Sequence, residues 1–275
     1  MKSSTLIVFL FFPLLTLAQP EENLSDSCFW GTSDAAKEFL SITGSLGDSA
    51  SYNGNLAPCY AKEGKMELAR KHYLRYAENK VSGSAGAFTL ASLYAEGIVF
   101  ERDMAKHIEW LKVAWHRGDK QLAGIASAML SNIYDRGVGV ETDMEASFQW
   151  LTRSAEAGND IAQMALGREF YFGKKVAQDF NLANKWLSLS AKNNNSEAQI
   201  LLAAMYATGE GVERDKTLCS FWASVSLLLD YTTTAAKVRN ICYKDLNLLE
   251  KKDLELLLNK HKDNLKELRI EPVLD

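Results

Sequence analysis

Apolar positions recur along most of this chain at helical spacing, and between residues 85 and 230 the pattern repeats as a whole. Aligned on their aromatic positions, four segments superimpose: Leu90-Ala91 with Tyr94 and Gly97, Leu130-Ser131 with Tyr134 and Gly137, Leu166-Gly167 with Phe170 and Gly173, and Leu202-Ala203 with Tyr206 and Gly209. Each runs through a turn to an aspartate, Asp103, Asp143, Asp179 or Asp215, and reaches a tryptophan seven residues later, at Trp110, Trp150, Trp186 or Trp222. The period is 40, then 36, then 36 residues. Four segments with fixed internal offsets predict one supersecondary unit stacked four times.

The unit explains itself as two antiparallel helices, A and B. In helix A the leucine, the small residue and the aromatic fall along one side. The small residues Ala91, Ser131, Gly167 and Ala203 let a neighbouring helix approach closely. Glycine at 97, 137, 173 and 209 fits the left-handed position that ends a helix. The aspartates stand where helix B begins, able to accept hydrogen bonds from its unpaired amides. Four residues after them come His107, Ser147, Ala183 and Cys219, a slot for small packing residues, and the tryptophan that follows is expected to bury its ring against the next unit.

At these residues the chain resembles the Sel-one-like repeat family, a branch of the tetratricopeptide-type helical solenoids. The fullest matches are Gly137-Val138-Gly139-Val140 with Asp143 and Trp150, continued by Ala155 and Gly158, and Gly209-Glu210-Gly211-Val212 with Asp215 and Trp222. Departures are Ile98-Val99-Phe100 in the first turn, Lys174-Lys175-Val176 in the third, and Trp115 in place of a small residue. The resemblance implies an all-α fold, a right-handed superhelical solenoid of antiparallel helix pairs with helical caps at both ends. The expected organisation is a signal peptide over 1–18, an N-terminal capping segment over 19–64, and a solenoid over 65–230. The solenoid comprises a degenerate half-unit at 65–80, where Tyr73 and Ala77 match Trp110 and Ala114, and four units from about 85. Capping helices follow over 231–275, ending in an amphipathic helix from Leu249 to Leu268.

The N-terminus changes the cellular picture. Lys2 precedes an apolar run from Leu6 to Leu17 that ends at Ala18 before Gln19-Pro20. At about 12 residues the run is shorter than the roughly 20 of a membrane span, so it reads as a secretory signal cleaved after Ala18. A periplasmic location is expected, with secretion as the alternative. No stable membrane insertion is expected after cleavage.

The four cysteines, Cys28, Cys59, Cys219 and Cys242, all lie beyond the signal and suit disulfides in an oxidising compartment. Three pairings are possible. A solenoid separates its ends, which favours Cys28 with Cys59 and Cys219 with Cys242; four buried thiols are the alternative. None has the short spacing of a zinc site, and His72, His107, His116 and His261 are scattered, so no metal is expected.

Composition adds exclusions. The chain is 47% hydrophobic and 24% charged, with a formal charge of -4; losing Lys2 with the signal makes it -5. That balance offers no electrostatic attraction to nucleic acid or anionic lipid. No nucleophile elbow, phosphate loop or dinucleotide fingerprint is present, and the glycines lie between helices instead of after a strand. Glu169 and Glu210 read as surface charge, and His107 as structural. The expectation is therefore no catalysis and no cofactor.

What the resemblance implies is a protein-binding adaptor whose partner is another protein: a periplasmic toxin, with this chain as its immunity protein, or a component of envelope machinery. An envelope or host-interaction scaffold is an alternative. A cysteine-rich repeat hydrolase that binds penicillin is a further one, disfavoured because the cysteines cluster toward the ends. The surface examined first is the set of helix A positions between framework residues, such as Ser92, Asn132, Arg168, Glu169 and Ala204. Trp115 and Tyr171 are additional aromatics at non-framework places, read either as interface groups or as fillers of gaps between irregular units.

Overall fold

The structure, a computed structural model, describes residues 50–79, 83–229 and 232–267. The expected signal peptide, Cys28 and most of the N-terminal segment lie outside the described residues, as does the end of the C-terminal segment. Among the described residues every regular element is a helix. The chain divides into two compact units, Met1–Asp143 and Met144–Asp275.

The first unit holds α1 (Ala50–Lys62), α2 (Met66–Glu78), α3 (Gly83–Glu96), α4 (Met104–Arg117) and α5 (Lys120–Arg136). The second holds α6 (Met144–Glu156), α7 (Asp160–Phe172), α8 (Phe180–Lys192), α9 (Ser196–Thr208), α10 (Lys216–Leu229), α11 (Thr233–Lys244) and α12 (Leu248–Glu267). Within each unit consecutive helices pack on one another up to α11, α12 packs on α10, and α3 also meets α5 as α7 meets α9. Helix A of one repeat thus touches helix A of the next, which is how a stacked array buries faces that no single pair can bury.

The framework residues do what their spacing demands. Leu90, Leu130 and Leu202 are fully buried and Leu166 is 1% exposed. At Gly167 a Cβ would stand 2.7 Å from the Leu187 Cγ of α8, so only glycine admits that leucine. Gly137, Gly173 and Gly209 close α5, α7 and α9 with φ of 68°, 64° and 83°, a backbone region that other residues enter at a steric cost.

After each glycine the turn is clamped in the same way. The backbone N–H of Asp103, Asp143, Asp179 and Asp215 donates to the carbonyl of Tyr94, Tyr134, Phe170 and Tyr206, at 2.9 to 3.0 Å. The aspartate side chain then caps helix B: Asp103 accepts from Lys106 N, Asp179 from Asn181 N and Leu182 N, and Asp215 from Leu218 N. One residue therefore ends a turn and starts a helix, which is why its spacing is fixed.

The tryptophans correct an expectation. Trp186 of α8 joins a core with Ala155 of α6 and Ala162 and Leu166 of α7, and Trp222 of α10 packs on Ala183, Leu187 and Leu202. Trp110 likewise packs among residues of α1, α2 and α3. The rings of Trp110 and Trp186 thus share a core with helix A of their own unit and with the preceding helices, while Trp222 also packs on the core of Ala203, Cys219, Ala223 and Cys242, which reaches the helix that follows it.

The described part of the N-terminal capping segment is helical. α1 lies inside 19–64 and pairs with α2, with Leu56, Ala57, Tyr60, Ala69, Tyr73 and Ala77 sharing one core. Buried His72 donates from Nδ1 to Asn53 Oδ1 at 2.7 Å and stacks on Tyr60, tying the two helices. The turn between them has Lys65 where later units have an aspartate, and no side-chain cap forms there. The irregular first turn serves the same core, since Val99 and Phe100 are buried in it and Arg70 Nε holds the Val99 carbonyl at 2.6 Å.

Candidate functional site

Residues with chemical potential are first accounted for by packing. His107 is buried and donates from Nδ1 to the Ala91 carbonyl at 2.8 Å, so its ring joins α4 to α3. His261 is half-buried, its ring edge-on to Phe221 at 5.9 Å, and burial lowers its pKa from the ordinary histidine value. His116 is exposed beside Trp115. Among the described residues no group of three or more His, Cys, Asp or Glu is placed to hold a metal ion, and no helix is long and apolar enough to cross a membrane.

Of the cysteines, Cys219 and Cys242 form a disulfide with Cα atoms 5.9 Å apart, joining α10 to α11 across a separation of 23 residues. Both sulfurs sit in a core with Ala203 and Ala223. Cys59 on α1 is disulfide-bonded; Cys28 lies outside the described residues.

A second set of periodic residues carries the helix A starts, and sequence reasoning missed it. Asp119, Asn159 and Asn195 cap α5, α7 and α9 by accepting from Leu122 N, Ala162 N and Ala198 N. Four residues after Asn159 and Asn195, Gln163 and Gln199 donate to the carbonyls of Ala155 and Ala191 at the end of the previous helix. Ser190 and Ser226 reach back to the carbonyls of Asp160 and Ser196. The signal was available: each pair recurs at 36 residues, outside the aromatic positions used for alignment.

With packing and capping removed, a stripe on α7 stands out. Ile161, Arg168 and Phe172 are spaced by seven and then four, which brings them to one side of the helix. Ile161 is 65% exposed and Phe172 49% exposed, with Lys174 Nζ 5.5 Å from the Phe172 ring. Arg168 reaches Glu197 of α9 at 3.1 Å, and Tyr171 donates to Glu210 in the turn after α9 at 2.8 Å. Burial and the Glu210 carboxylate push the Tyr171 hydroxyl up to about 12, so it stays a donor throughout ordinary conditions. Glu210 also accepts from Thr208, which corrects its reading as an unpartnered surface charge. Glu169 is half-buried with one carboxylate oxygen shielded, again not a simple surface charge.

The variable helix A positions are thus unequal. Arg168 and Asn132 are exposed, while Ser92 is half-buried with its hydroxyl on the Phe88 carbonyl and Ala204 is half-buried. Tyr171 packs on Phe172 and Phe180 and ties two repeats, a stacking role. Ile161 and Phe172 were missed because neither is a framework position. Comparison across the period would have found Ile161, since the next repeat has Glu197 in its place.

Known proteins fit this picture. The Sel1 repeat model matches residues 124–159, 160–195 and 196–224. A Sel1 repeat protein from Oxalobacter formigenes has a similar solved structure, 24% identical, with a TM-score of 0.57 over 83% of this chain and 93% of that one. So has c5321, a protective antigen of uropathogenic Escherichia coli strains displaying an SLR fold, also 24% identical with a TM-score of 0.57, over 88% of this chain and 52% of that one. No curated protein matches the sequence. Sel1 repeats mediate interactions between proteins. Residues 124–224 thus carry three Sel1 repeats, and the all-helical fold is similar to solved structures of the same repeat class.

Proposed function

We propose that this chain is an exported, non-catalytic adaptor that binds another protein through the helix A surface of its second unit. The observation that carries the reading is the α7 stripe. The framework leucines, small residues, aspartates and tryptophans are spent on packing and capping, yet Ile161 and Phe172 stay exposed on either side of Arg168. Exposed apolar and aromatic groups around an arginine are the composition of an interface centre. His107 and His72 are held in packing contacts, and the Tyr171–Glu210 pair ties two repeats.

Export rests on the N-terminal run from Leu6 to Leu17 and on the cysteines, and the partner class we place first is a toxin acting in the periplasm, with envelope machinery second. An affinity pull-down of the chain from Gln19, tagged at its C-terminus and expressed in the periplasm, tests both parts. The expected result is one stoichiometric partner, lost when Arg168→Glu is introduced. Retention of that partner by Arg168→Glu, or recovery of none from a folded chain, sinks the reading.

A further inference from the structure

The C-terminal cap carries a second surface. Between α11 and α12 runs a groove of about 810 Å³ whose lining includes Tyr243, Leu248 and Leu249. Leu248 is 84% exposed and Leu249 72% exposed, among the most exposed apolar side chains described. Four cations, Arg239, Lys251, Lys252 and Lys262, line the same groove against one carboxylate, Glu255. The Arg239 guanidinium lies 5.2 Å and the Lys251 ammonium 5.1 Å from the centre of the Tyr243 ring, so both charges are held at the apolar wall.

Two neighbouring carboxylates, Glu250 and Asp245, are engaged elsewhere. Glu250 accepts from Asn247 N while Asn247 Oδ1 accepts from Glu250 N, a reciprocal cap that fixes the start of α12. Asp245 faces Lys216 at 3.9 Å. Among the described residues, none of the four groove cations has a carboxylate within ion-pair distance. An apolar trough with uncompensated positive charge is thus complementary to an apolar segment flanked by acids.

We infer that the α11–α12 groove docks an acidic amphipathic helix of a partner protein, its apolar stripe on Tyr243, Leu248 and Leu249 and its carboxylates on the four cations. This rests on the protein-binding reading above and adds a second contact surface to it. From Leu248 to Lys262 the groove follows α12 for about 21 Å at 1.5 Å per residue, room for about four turns of a docked helix. A flat anionic membrane fits less well, because Glu250, Asp253 and Glu255 lie interspersed with the lysines of the same helix.

The test uses the chain from Gln19 and a helical peptide of about 14 residues with leucines at positions i, i+3 and i+7 and glutamates beside them. Its controls are the same peptide with lysine for glutamate, and vesicles of equal parts phosphatidylglycerol and phosphatidylcholine. The glutamate peptide is expected to bind at least about tenfold tighter than the lysine peptide, and more weakly as salt rises. Lys251→Glu with Lys252→Glu, and Leu248→Ser with Leu249→Ser, are each expected to lose at least about tenfold in affinity with melting temperature unchanged, these side chains being exposed or at the surface. Equal binding of the two peptides, no binding of either, or capture by vesicles that the same variants abolish would overturn the inference. Arg168→Glu on α7 leaves peptide affinity unchanged in this account. A groove that fails while Arg168→Glu still releases the captured partner defeats the second surface and spares the first.

Discussion

Two regions of the second unit carry leucines and use them in opposite ways. In the repeats, Leu166, Leu187 and Leu202 are 0 to 1% exposed, each locked between an A and a B helix. In the cap, Leu248, Leu249 and Leu256 are 69 to 84% exposed on α12, although Leu254 of the same helix is buried. A repeat leucine lies between two packed helices, whereas α12 packs on α10 and, among the described residues, leaves Leu248, Leu249 and Leu256 exposed. Apolar spacing alone therefore does not say what a helix buries; the number of its neighbours does.

Substitutions sharpen that contrast. Trp186→Ala, which empties a core shared by three helices, is expected to destabilise the chain by about 3 to 5 kcal/mol in chemical denaturation. Leu249→Ser in the cap should leave the midpoint nearly unchanged, and a comparable loss at both sites would erase the distinction drawn above. The disulfide is the cap's own anchor. Replacing Cys219 and Cys242 together by serine is expected to lose about 3 kcal/mol, the scale for a loop of this length, with α11 and α12 gaining amide exchange before α7 to α9 do. Uniform exchange along the unit would contradict an anchoring role.

Smaller effects probe the repeats. Gly167→Ala puts a Cβ 2.7 Å from Leu187 Cγ and is expected to cost about 1 to 3 kcal/mol, read by thermal melting. Asp179→Ala removes the cap on α8 and is expected to cost about 1 kcal/mol, with Asp179→Asn retaining most of it. A loss at Gly167 no larger than that of an exposed alanine substitution would mean that α7 and α8 approach less closely than described.

The smallest effect depends on pH. Burial lowers the His261 pKa from its ordinary value of 6.5, so the neutral ring is favoured in the folded chain. Its contribution is fully present above 6.5 and is lost as pH falls through the folded value. The melting-temperature gap between wild type and His261→Gln should therefore shift against wild type in mild acid. A gap that is constant with pH would place the ring in water.

The fold was largely legible because its determinants are local and periodic. Leucine, glycine, aspartate and tryptophan at fixed offsets each answer to one physical need, and four repetitions separate them from chance. Of the first pair, α2 was legible as a half-unit through Tyr73 and Ala77, but its partner α1 was not, because the tie between them is a buried His72–Asn53 bond with no periodic counterpart. The tryptophan contacts with preceding helices were not legible because spacing gives the position of a ring on its own helix and not which neighbours surround it. The α7 stripe was half legible: Arg168 stood out as a variable position, but the exposure of Ile161 and Phe172 depends on what neighbouring helices leave uncovered.

The central claim is that the α7 stripe binds protein. The most direct measurement is calorimetric titration of the captured partner into wild type, Phe172→Ala and Arg168→Glu, each shown by melting to be equally folded. The account predicts that both variants weaken binding by at least about tenfold, about 1.4 kcal/mol or more. Unchanged affinity in both would contradict it and move the interface off α7.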